Sequence, residues 1–75
     1  MVEAISAQCR AVGREFDLSA REVQVLVELV RGRTIASIAE QLVVSENTAK
    51  AHTKAIYRKL GVHTREELAA RVEAT

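Results

Sequence analysis

Between Thr34 and Leu60 the chain carries two helical patterns almost back to back, and this pairing narrows its possible folds more than any other feature. At about 100° per residue, Ile35, Ile38, Ala39 and Leu42 fall on one face of the first pattern. Ala49, Thr53, Ile56 and Leu60 fall on one face of the second. Val43, Val44 and Ser45 separate the two, which leaves room only for a sharp turn. Thr34 and Ser45 stand where a hydroxyl caps each helix. The outward face of the second helix, residues 46–60, presents Asn47, Lys50, Ala51, Lys54 and Arg58. A short helix, a tight turn and a longer helix with a cationic outer face are the layout of a helix-turn-helix that sets its second helix in the DNA major groove.

The flanking segments supply further helices. Ile5, Cys9, Val12 and Phe16 are spaced 4, 3 and 4 apart, a helical stripe that Gly13 weakens. Residues 1–17 therefore read as an N-terminal helix or a connector. Asp17-Leu18 breaks the pattern, and Ser19 with Glu22 makes a capping box. The helix beyond it turns Val23, Leu26, Val27 and Val30 to one side and Val25 and Leu29 elsewhere. Being apolar over most of its circumference, it is expected at the centre of the domain. Gly32 is placed for a left-handed C-terminal cap, and Gly61 ends the helix of residues 46–60. Thr64 and Glu67 form a second capping box before a last helix with Leu68, Ala69 and Val72 on one side.

Charge is distributed unevenly although the net value is only +1. Residues 45–65 set Lys50, Lys54, Arg58, Lys59 and Arg65 against Glu46 alone, a balance of +4. Cys9 is the only cysteine, compatible with a reducing compartment and with a small buried apolar role. His52 and His63 lack metal-ligand spacing with each other or with Cys9, so no metal is expected. No catalytic triad, paired acids in a cleft or phosphate-cradling glycine loop is present, and a non-enzymatic chain without cofactor or small-molecule site is the reading. No run approaches the ~20 apolar residues of a membrane span. A cytoplasmic domain is expected, whose parent could be membrane-tethered.

Several separated blocks agree in order and spacing with one family. Leu18-Ser19-Ala20-Arg21-Glu22, Leu26, Gly32, Ile38-Ala39-Glu40-Gln41-Leu42, Val44-Ser45-Glu46-Asn47-Thr48-Ala49-Lys50, His52 and Ile56-Tyr57-Arg58-Lys59-Leu60-Gly61-Val62 together resemble the DNA-binding domain of LuxR-type (GerE-like) bacterial transcription regulators. The resemblance implies an all-α fold: a four-helix helix-turn-helix domain over residues 18–75, with an additional N-terminal helical segment. It also implies double-stranded DNA as partner, a sensor domain in a longer parent chain, and a homodimer contact through the last helix at Leu68, Ala69 and Val72. Lys50, Ala51 and Lys54 occupy the family's base-facing positions. Thr48, His52, Tyr57, Arg58 and Lys59 stand where phosphate contacts fall, and Ser45 and Asn47 open the same helix. Tyr57 can equally cover the edge of the core, and Ser45 and Thr48 can serve as caps.

Four places depart from the family pattern. Ala49 stands where valine is common, Ala51 where a polar residue is frequent, Thr53 where an apolar residue is usual, and Ile35-Ala36-Ser37 is less polar than the family norm. These departures bear on sequence preference more than on DNA binding. A competing reading is a helical protein-interaction module that keeps the fold without binding DNA, engaging a polypeptide through Val25, Leu29 or the last helix. A promoter-contacting sigma-factor domain shares the helix-turn-helix, but Gly32 and the block from Tyr57 to Val62 fit the LuxR type better.

Overall fold

The computed structural model describes residues 2–74, with side chains from Ile5 onward. It contains five helices: α1 (Val2–Glu15), α2 (Ala20–Val30), α3 (Ile35–Leu42), α4 (Glu46–Leu60) and α5 (Arg65–Glu73). No strand occurs among the described residues. Each helix from α2 to α5 starts on the hydroxyl residue that the sequence marks. Ser19, Thr34, Ser45 and Thr64 accept from the backbone N–H groups of Glu22, Ser37, Thr48 and Glu67 respectively. Both capping boxes close, because Glu22 and Glu67 also reach back to the N–H groups of Ser19 and Thr64. Such caps satisfy backbone donors that have no partner inside the helix.

The core is aliphatic. Cys9 and Val12 from α1, Val25, Leu26 and Leu29 from α2, Ile38 and Ala39 from α3, Ala49, Ile56 and Leu60 from α4, Val62, and Leu68 and Val72 from α5 make one buried cluster. α2 packs against α1, α4 and α5, the central position its apolar circumference implies. The deepest face of α2 differs from the sequence expectation. Val25, Leu26 and Leu29 are buried, whereas Val23, Val27 and Val30 are only partly covered. A helix enclosed on several sides has no single apolar stripe, so the wheel alone does not rank its valines. This correction also removes Val25 and Leu29 as an outward docking face.

α1 is a helix that supplies two wholly buried side chains to this cluster. Its contact with α2 explains Gly13, which the sequence marks only as a helix weakener. A Cβ at that position would lie 2.6 Å from the Val23 Cγ2 atom, so only glycine lets the two helices approach this closely. Burial pushes the Cys9 thiol up to about 11, against the pull of Arg31 in the other direction. The thiol stays protonated and behaves as a small apolar side chain.

Two acidic residues are buried in α2. Glu22 is 7% exposed and accepts from the Ser19 N–H at 2.8 Å and from the Lys59 ammonium at 2.9 Å. Lys59 also donates to the Asp17 carbonyl, so one side chain ties the end of α4 to the α1–α2 turn. The Ser19 N–H holds the Glu22 carboxyl below its ordinary value of 4.5; burial opposes this and Lys59 adds to it. A carboxyl depressed in the folded state stabilises above its unfolded value, and the gain is lost as pH falls through the folded value. The stability advantage of the native chain over Glu22→Gln should therefore be full at neutral pH and shrink below pH 4.5, as read by urea unfolding across that range. Glu28 lies beside Arg31 and Arg33, each at 3.4 Å.

The turn between α3 and α4 is strained at one residue. Val43 caps α3 with φ 56° and ψ 50°, and it is 89% exposed. A β-branched side chain is disfavoured in this left-handed region and gains no packing there. Val43→Gly should raise stability by about 1 kcal/mol, less the entropy that glycine adds to the unfolded chain. Thermal unfolding of the two proteins checks this.

Candidate nucleic-acid interface

Ala49, Ile56 and Leu60 anchor α4 in the core and thereby fix which side chains face out. Thr53 does not leave an unmet hydroxyl on the inner side, because its Oγ1 donates to the Ala49 carbonyl at 2.8 Å. The turn holds α3 against α4, and the Val44 N–H donates to the Ala39 carbonyl across it at 2.9 Å. At its far end α4 stops at Gly61, φ 69°, where the Val62 N–H donates to the Tyr57 carbonyl. Arg71 of α5 then donates to the Leu60 carbonyl at 2.8 Å and lies over the Phe16 ring.

Asn47, Lys50, Ala51, Lys54 and Arg58 are all exposed. They share an arc of about 100° on the side of α4 away from the core. None of the four polar members makes a side-chain hydrogen bond or ion pair among the described residues. Three cations without protein partners thus stand on one strip, with Glu46 as the acid in the first turn of α4. Exposed, unpaired cations on one helix face suit a polyanion, since nothing need be broken to engage it.

The remaining sequence candidates divide. Ser45 and Thr48 are exposed at the start of α4, where the Ser45 hydroxyl accepts from the Thr48 N–H and donates to the Thr48 hydroxyl at 2.9 Å. That cap uses one N–H of the first turn; those of Glu46 and Asn47 have no intrahelical acceptor and face outward with the helix dipole. His52 and Tyr57 are half-buried on opposite flanks of the strip, and Tyr57 packs against the core. Lys59 lies on the flank with His52, and its ammonium is committed to Glu22 and Asp17. It is better described as a positioning residue for α4.

On α5, Leu68 and Val72 are each 1% exposed and serve the core of their own chain. Of the three residues assigned to a dimer contact, only Ala69 reaches the surface. A helix this short cannot turn the same side chains both inward and outward. Arg71 and the Glu22–Lys59 pair, which hold α4 in place, carry no local signal because their partners are 11 and 37 residues away. Among the described residues no helix is long and apolar enough to cross a membrane.

Residues 17–72 match the family model described as bacterial regulatory proteins, luxR family. The chain is 46% identical over 54 residues to the Fimbriae Z protein of Salmonella typhimurium, covering 72% of this chain and 26% of that protein. It is 46% identical over 48 residues to the probable transcriptional regulatory protein NarL of Mycobacterium tuberculosis, covering 64% and 22%. Against the HTH-type transcriptional activator RamA of Corynebacterium glutamicum it is 42% identical over 50 residues, covering 67% and 18%. The chain thus spans between 18% and 26% of the length of these relatives. No solved structure matches it.

Proposed function

The chain belongs to the luxR family of bacterial regulatory proteins, and from that premise we propose that α4 is the recognition helix of a DNA-binding output domain. Its outer strip enters the major groove. Lys50, Ala51, Lys54 and Asn47 face base edges, while Arg58, Thr48, His52 and the free N–H groups opening α4 meet phosphates. The observation that supports this best is the strip of cations that no group among the described residues neutralises. Two such domains dock on half-sites about one helical turn apart, each presenting α5 to the other through Ala69 and the exposed residues beside it. Residues 18–75 are the family domain, and a sensor domain belongs to the longer parent chain.

Comparing two lysines of α4 tests the assignment. Lys54→Ala should weaken binding to random-sequence duplex DNA and lower the slope of log affinity against log salt by about 0.9. Lys59→Ala should leave that slope nearly unchanged and instead lower the unfolding midpoint, because its ammonium bonds Glu22. Fluorescence anisotropy at several salt concentrations, with urea unfolding alongside, reads both. An unchanged slope in Lys54→Ala removes Lys54 from the interface.

A further inference from the structure

Ala51 sits in the middle of the cationic strip and has only a methyl group to offer. It lies about 140° to 180° around α4 from Ile56, Ala49 and Leu60, on the line farthest from the core. It is exposed, and its polar neighbours Asn47, Lys50 and Lys54 stand beside it on the same arc. With the outer strip of α4 docked as proposed above, this line meets the groove floor. The groove is about 12 Å wide and a helix with side chains about 10–12 Å across, so short side chains on that line let the backbone come close.

The chemistry of the groove floor then selects the base. At the major-groove edge guanine and adenine present N7 with O6 or the N6 amino group, and cytosine presents its N4 amino group beside a C5–H that lacks the methyl group of thymine. A methyl group pressed on these removes water from polar atoms and returns no hydrogen bond, which is unfavourable. Thymine alone adds an apolar C5-methyl group. We infer that Ala51 is a specificity-determining residue that reads a thymine methyl group, one per half-site, among base pairs contacted by Lys50 and Lys54. The inference rests on the docking of α4 in the major groove.

Replacing thymine by uracil removes this methyl group and leaves every hydrogen-bonding atom in place. The experiment uses the full chain and a preferred duplex selected from a random pool, with each dT replaced singly by dU. One replacement per half-site should weaken binding roughly four-fold, the value of one buried methyl-sized apolar contact. Both Ala51→Gly and Ala51→Ser should bind the dT and dU duplexes alike at that position; the serine variant guards against helix loss in the glycine variant. The inference is overturned if no single dU replacement weakens binding, or if the sensitive position stays sensitive in both folded variants. Failure of the docking model looks different: the folded chain then selects no sequence and shows no salt-dependent affinity for any duplex, and the inference falls with its premise.

Discussion

A chain cut to residues 17–75, the span that begins where the family model begins, should unfold at much lower urea than the full chain and lose a sharp transition. We propose that α1 belongs to the same folding unit as α2–α5. Cys9 and Val12 are wholly buried in the shared core, and Ile5 and Phe16 pack at its edge. Full burial of a side chain the size of valine stabilises by about 1.5–3 kcal/mol, so removing α1 costs on the order of 5 kcal/mol. A domain of this size has only about 4–11 kcal/mol in total. Truncation also uncovers the sides of α2 and α5 that α1 covers. Val12→Asp in the full chain makes the same test without cutting, because it places an unpaired carboxylate in the cluster. Far-UV circular dichroism during urea unfolding measures both. An unchanged midpoint in either protein would show that α1 is dispensable.

Reversing both central charges of the strip, Lys50→Glu with Lys54→Glu, should abolish measurable binding to duplex DNA while leaving the fold intact. Both side chains are exposed and make no hydrogen bond or ion pair among the described residues. Losing each contact costs about 1–3 kcal/mol, and the introduced carboxylates add repulsion from the phosphates. The combined loss is at least about 30-fold and extends to about 20,000-fold. Both positions lie in the interior of α4, where glutamate is as good a helix former as lysine. The unfolding midpoint should therefore shift little. Retained affinity in a folded double variant would place the DNA surface elsewhere.

What could be read in the sequence was mostly local. The α3–turn–α4 unit follows from helical spacing, two hydroxyl caps and a connection of three residues, all within one stretch. The outward strip of α4 is legible for the same reason, since Ala49, Ile56 and Leu60 define its opposite side. Burial that depends on distant packing is not legible in the same way. Val25 and Leu29 are core because α2 is touched by three other helices. Leu68 and Val72 are core because α5 closes over α2 and α4, which leaves α5 less apolar surface for a second copy than its sequence suggests. Lys59 resembles its neighbour Arg58 in sequence, yet Glu22 holds it from 37 residues away. Val43 carries no sequence mark of its left-handed backbone, a conformation imposed by the tight α3–α4 turn.

Docking of the outer strip of α4 on duplex DNA is tested by the affinity of the 75-residue chain for random-sequence duplex at low and moderate salt. Anisotropy of a labelled duplex should show binding at low salt that weakens steeply as salt rises, with a log–log slope of about 0.9 for each phosphate neutralised. A folded chain that binds no duplex even at low salt would overturn the docking of α4 in the groove.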